Sequence, residues 1–344
     1  MNNKIIFIGP CGGGNIPTNG ASNKNYYLLN HLREKLGDVQ CIDTEYWRKK
    51  PLLIVKLLWL ILLNNKATYI ISANNMSAYR LLSILTILPF SKRKLIYWVI
   101  GGTIADRIKS GEYRIRPYTK LDWILVEGKR MKNTLEECGL TQALVVPNFK
   151  DFDETICVQP KEKCNELVRF VFIARILPEK GVESILNACE SLANLGGFQV
   201  DFYGPIDDNY RENFLSRIKN LSMVSYDGFL DLRNWENYKV LSGYDVMLFP
   251  TYWNGEGFPG TIIDAYIAGL PVIASDWSMN EELIEHEVTG WIIPPQDEMS
   301  LSNRMKQVIC NRGCLGEMSL ACQKQSVNYK VDKIISNELL AKII

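Results

Sequence analysis

The sequence is poor in histidine. Only His31 and His286 occur in 344 residues, and the nine cysteines form no CxxC pair and no metal-ligand spacing. A zinc site is therefore not expected, and no metal is assigned. Cysteines scattered through a chain of this length read as buried thiols in a reducing compartment. No apolar run is long enough to cross a bilayer, which needs about 20 residues. The N-terminal MNNKIIFIGP enters an apolar strand directly, without the pattern of a signal peptide, so a cytoplasmic location is expected.

What is present is a normal globular balance, with 47% hydrophobic and 22% charged residues and length for two ordinary domains. The net charge of +1 hides a polarity. Met1–Lys150 holds 22 Lys and Arg against 10 Asp and Glu, a net of +12; Asp151–Ile344 holds 17 against 28, a net of −11. A basic first half suits either nucleic acid or an anionic membrane surface. Local pattern favours the membrane, and no nucleic-acid partner is expected. Arg48, Lys49 and Lys50 precede the apolar run from Pro51 to Leu63, which Lys56 interrupts, and Leu81–Phe90 is followed by Lys92, Arg93 and Lys94. Such stretches fit either helices lying on a membrane or helices packed on a sheet.

Strand and helix patterns alternate. Lys4–Gly9 reads as a buried strand, followed by the loop Gly12-Gly13-Gly14 and a helix from about Ser22 that Gly37 closes. Further strands are predicted at Thr68–Ser72, Leu95–Ile100, Trp123–Val126 and Leu144–Val146. Asn148–Asn165 reads as a linker. The order then restarts with strands at Val168–Ala174, Phe198–Tyr203, Asp245–Pro250 and Pro271–Ser275, and a helix over Val182–Leu195. Alternation of this kind predicts α/β domains with parallel sheets, and two of them leave a cleft. Lys330–Ile344 predicts one amphipathic helix through Val331, Ile334, Ile335, Leu339 and Ile343.

The most informative stretch runs from Asn254 to Asp276. A glycine-rich loop, Gly255–Gly260, leads into a helix start where Thr261 and Asp264 are spaced as a capping box. Two acids, Glu256 and Asp264, bracket this turn, and carboxylates suit the vicinal hydroxyls of a sugar. Arg175 and Lys180, just after the first strand of the second half, supply the positive charge that a diphosphate needs. Asp151-Phe-Asp153 matches a metal-binding DxD pattern but lies at the linker and reads as structural.

These features together resemble the GT4 family of retaining glycosyltransferases with the GT-B fold. The resemblance rests on Glu256 and Asp264 separated by seven residues, on Arg175, Lys180 and Gly181, on Gly12–Gly14, on Val145-Val-Pro-Asn148 and on Thr289-Gly290-Trp-Ile-Ile-Pro-Pro295. It implies two Rossmann-like domains facing a central cleft. Residues 1–150 would form the acceptor side, 166–328 the nucleotide-sugar side, and 329–344 a helix crossing back to the first domain. Glu256, Arg175 and Lys180 would be catalytic. The donor would also contact Gly12, Gly13, Gly14, Phe229, Leu230, Phe258, Pro259, Gly260, Thr261 and Asp264. The implied reaction moves a sugar from a nucleoside-diphosphate-sugar to a saccharide or lipid-linked saccharide acceptor, without cofactor or metal. The chain departs from the family in carrying aspartate at 264, where glutamate is commoner, and Gly101-Gly102 after Tyr97-Trp-Val-Ile, where many relatives carry a histidine. A nucleotide-sugar epimerase and a nonenzymatic nucleotide-sugar-binding protein are the competing readings.

Overall fold

The computed structural model describes residues 4–14, 20–49, 52–64, 66–86, 93–153 and 167–344. Most of the expected linker, the end of the Leu81–Phe90 stretch and the Lys50-Pro51 step lie outside these residues. The chain forms two compact units: Met1–Asp151 together with Val331–Ile344, and Phe152–Lys330.

The first unit holds β1 (Ile5–Gly9), β2 (Val39–Asp43), β3 (Thr68–Ile71), β4 (Lys94–Trp98), β5 (Trp123–Val126) and β6 (Ala143–Val145). They form one parallel sheet in the order β2-β1-β3-β4-β5-β6. The register sets Phe7 against Ile70 and Ile70 against Ile96, so one face of the sheet presents a continuous apolar row. The helix Gly20–Leu36 lays Leu28, Leu29 and Leu32 on that row. Strands buried on both faces explain why the sequence reads as unbroken apolar runs.

The C-terminal segment belongs to this core. Val331, Ile335, Leu340 and Ile343 are buried in the cluster that contains Phe7, Ile70 and Ile96. His31 Nε2 lies 3.2 Å from the Ile335 carbonyl oxygen, and Lys94 Nζ donates to the Ile344 carbonyl at 3.2 Å. One helix was expected here, but there are two short ones, Val331–Ile334 and Asn337–Ile343. Ser336 makes the break: its hydroxyl accepts from the Leu339 N–H at 3.2 Å and starts the second helix as an N-cap.

The second unit holds β7 (Val168–Ile173), β8 (Phe198–Tyr203), β9 (Val224–Tyr226), β10 (Val246–Phe249), β11 (Val272–Ser275) and β12 (Gly290–Ile293). This sheet is again parallel, in the order β12-β11-β10-β7-β8-β9. Val168, Phe170 and Phe172 alternate onto one face, where the helices Val182–Leu192, Arg211–Ile218 and Glu298–Cys310 cover them. Chain order reverses between β7 and β10. At such a switch point the connections leave in opposite directions and open a crevice beyond the carboxyl ends of the strands.

Candidate functional site

The switch point of the second sheet gathers much of the chemistry. Beyond β7 the chain runs through Arg175 to a short helical turn, Pro178–Lys180, and Gly181 then opens the helix Val182–Leu192. Gly181 has φ +79°, and a Cβ there would collide with the Pro250 carbonyl just beyond β10. Only glycine lets the helix start sit this close to β10. That approach brings Lys180 to the loop that carries Glu256.

Lys180 and Glu256 are both buried and form a direct ion pair. Thr251 Oγ1 donates to the same carboxylate oxygen at 3.1 Å. The Lys180 ammonium also lies 4.4 Å from the centre of the Trp253 ring. Hydrogen bonds from the segment after β11 hold the loop: Ser278 Oγ to the Glu256 carbonyl at 2.9 Å, and Trp277 Nε1 to the Trp253 carbonyl at 2.8 Å. A buried ion pair contributes little net stability, because desolvating both charges offsets their attraction. It does keep an ammonium in a partly dry, prearranged position, where it acts strongly on any anion that reaches it.

Arg175 is placed differently. Its guanidinium is largely exposed and pairs with Asp207 at 2.5 Å, so the two cations expected to act together each have an acidic partner of their own. Asp207 reads as a turn residue in the sequence. It reaches Arg175 because Ile176 and Ile206 form a parallel bridge beyond β7 and β8. Gly204 makes this possible: at φ +136° it lies against Ala174, and a Cβ there would strike the Ala174 carbonyl.

Thr261 and Asp264 do not form the expected capping box. The helix Gly260–Ile267 starts after Pro259, and the Thr261 hydroxyl donates to the Ile173 carbonyl at the end of β7, 2.9 Å away. Asp264 lies within the helix, buried, and accepts from the Tyr238 hydroxyl at 2.5 Å. Tyr238, on the short helix Asn237–Leu241, is a site neighbour that sequence reading missed. Phe258 is buried and packs on the Tyr329 ring at 5.7 Å. Phe229, just past Gly228, is 68% exposed, and Leu230 is partly buried.

In the first unit the glycine loop follows β1, at the point where the chain order reverses between β1 and β3. The resemblance puts this loop in contact with the donor. Here the N–H groups of Cys11 and Gly13 donate to the Asp43 carboxylate at 2.9 and 2.7 Å, and the Gly12 N–H donates to Glu45 at 3.3 Å. Acids at and just after the end of β2 thus occupy the backbone donors that would otherwise attract an anion. Gly101 and Gly102 follow β4, where Tyr97, Asn75 and Thr103 are linked by hydrogen bonds of 3.2 and 2.8 Å. Asp151 and Asp153 are exposed on either side of the buried Phe152. Among the described residues, no cluster of three or more His, Cys, Asp or Glu side chains is placed to hold a metal ion.

Residues 158–328 match the family described as Glycosyl transferases group 1. Over 205 residues the chain is 34% identical to the UDP-Gal:alpha-D-GlcNAc-diphosphoundecaprenol alpha-1,3-galactosyltransferase of Escherichia coli, covering 55% of this chain and 52% of that protein. Over 149 residues it is 29% identical to the amylovoran biosynthesis glycosyltransferase AmsK of Erwinia amylovora, covering 41% of this chain and 36% of that one. The chain thus spans about a third to a half of the length of these curated relatives. Sucrose-phosphate synthase from Thermosynechococcus elongatus shares the fold with a TM-score of 0.76, at 15% identity and over 99% of this chain and 100% of that one. The Anabaena Alr3699/HepE structure in complex with UDP gives 0.73, at 16% identity and over 98% of each chain. The architecture is the GT-B fold, and the sequence similarities are to glycosyltransferases, AmsK among them being named for amylovoran biosynthesis.

Proposed function

We propose that this protein is a retaining, GT4-type glycosyltransferase that moves a sugar from a uridine-diphosphate donor to a lipid-linked saccharide in the assembly of a surface polysaccharide. The observation that carries this reading is the buried Lys180–Glu256 pair at the switch point of the second sheet, with Arg175 beyond the same strand. When the sugar–phosphate bond breaks, negative charge grows on the departing diphosphate. Lys180, with Arg175 at the entrance, stabilises that charge in place of a metal ion. Glu256 orients the ammonium and accepts from donor-sugar hydroxyls. Asp264, held by Tyr238, accepts from the ribose hydroxyls, and exposed Phe229 offers a ring for the base. The acceptor attacks on the face that the diphosphate leaves, so the anomeric configuration is kept.

The choice of uridine draws support from HepE, solved in complex with UDP, and from the galactosyltransferase relative, whose name specifies UDP-Gal. That relative's diphosphoundecaprenol acceptor supports the lipid-linked saccharide here, and with it a peripheral position at the inner face of a cell membrane.

Thermal melting with UDP, GDP, dTDP, CMP and NAD tests the reading. A nucleotide that binds only the folded state raises the melting temperature, by about 2.7 kcal/mol of stabilisation at a hundred times its dissociation constant. A rise with UDP and none with NAD is expected. A rise with NAD alone would contradict the proposal.

A further inference from the structure

The helix Leu52–Leu63 is apolar around most of its circumference, yet only part of it is covered. Leu60 and Ile61 are buried, and the Tyr69 hydroxyl ties the helix end to β3 by donating to the Asn64 carbonyl at 3.0 Å. Leu52, Val55, Trp59, Leu62 and Leu63 are all more than half exposed. At 100° per residue these five fall within an arc of about 100°, with Lys56 at its edge, opposite Ile61. Large apolar side chains aligned this way on the surface mark an interaction site.

Charge indicates the partner. From Tyr46 to Ala105 the sequence carries nine Lys and Arg and no Asp or Glu. Lys49, Lys56, Lys66 and Arg80 within this stretch are exposed. A protein partner with an apolar face would need no such one-sided field, whereas an anionic bilayer presents both an apolar interior and a negative surface. No helix among the described residues is long and apolar enough to cross a membrane. The helix is about 18 Å long, which suits a position parallel to the bilayer plane.

We propose that this face of Leu52–Leu63 is a docking surface for an anionic lipid bilayer: Trp59 and its apolar neighbours enter the acyl boundary while the lysines meet phosphate headgroups. The purpose of such docking, bringing the first unit to a lipid-linked acceptor, rests on the transferase reading above; the binding itself does not.

The test is flotation of the full chain with vesicles of equal phosphatidylglycerol and phosphatidylcholine, against phosphatidylcholine alone, at low and at 0.5 M salt. Binding to the anionic vesicles, weakened by salt, is expected. The double variant Trp59→Ser/Leu63→Ser, altered only at exposed positions, should bind at least about tenfold more weakly, with unchanged melting temperature and an unchanged UDP-induced rise. Absence of wild-type binding to anionic vesicles at low salt, or equal binding by the variant, overturns the proposal. So does a wild-type dimer in light scattering that the variant dissociates without losing vesicle binding. Loss of the UDP response with vesicle binding intact would count against the transferase reading and leave the docking surface standing.

Discussion

Lys180→Ala is expected to lower sugar transfer by at least about tenfold, and by as much as about a thousandfold if the ammonium supplies a full transition-state contact to the diphosphate. The same substitution leaves the buried Glu256 carboxylate without its ammonium while the Thr251 hydroxyl still donates to it, so stability should fall as well, by about 3 kcal/mol. The two losses are separable. In Lys180→Met/Glu256→Gln the remaining group is neutral and close in volume, so most of the stability should return while transfer stays low. A melting curve and an initial-rate assay on each variant make the comparison. If the double variant regains both stability and transfer, the pair is a structural ion pair and the site lies elsewhere.

Gly204→Ala should damage the fold itself. The residue holds φ +136°, a region nearly closed to alanine, and the new methyl would meet the Ala174 carbonyl rather than a movable side chain. Backbone strain of about 1–3 kcal/mol adds to overpacking of about the same size. The expected loss is about 2–6 kcal/mol, read from denaturant midpoints. The disturbance is centred beyond β7 and β8, so Arg175 and Asp207 should lose their register even in folded molecules. A variant as stable as the wild type would show that the chain beyond these two strands is looser than this packing implies.

Central strands were legible, and of the four edge strands only β6 was, through Leu144–Val146. β1, β3, β4, β5, β7, β8, β10 and β11 coincide with apolar runs, because a parallel strand covered on both faces needs such a run. Val39–Asp43, Val224–Tyr226 and Gly290–Ile293 were not among the predicted strands, and all three lie at sheet edges. At an edge one side of the ladder is unpaired, and short segments with polar members such as Gln40, Cys41 and Ser225 suffice.

In the site, the residue types were legible but their partners were not. Arg175 and Lys180 are five apart in sequence, which suggested joint action. Their ion pairs run instead to Asp207 and Glu256, 32 and 76 residues away, and no local spacing encodes such contacts. The capping box failed for a similar reason. Thr261 has a tertiary carbonyl, that of Ile173, within reach, and Asp264 faces Tyr238 across 26 residues. The loop Gly12–Gly14 was read as a donor contact from the resemblance, with no sign of its acidic partners. Its Cys11, Gly12 and Gly13 amides donate to Asp43 and Glu45, which lie at and just after the end of the neighbouring edge strand.

Sugar transfer at the Lys180–Glu256 site can be read out chemically. Its most direct test is release of nucleoside diphosphate from a panel of sugar nucleotides, UDP-glucose, UDP-galactose, UDP-N-acetylglucosamine and GDP-mannose, with a diphosphate-linked lipid saccharide as acceptor. UDP release from one of the uridine donors is expected, dependent on the acceptor and reduced at least about tenfold in Lys180→Ala. Acceptor-dependent release that is undiminished in that variant, or no release from any donor by folded protein that binds UDP, would contradict transfer at this site.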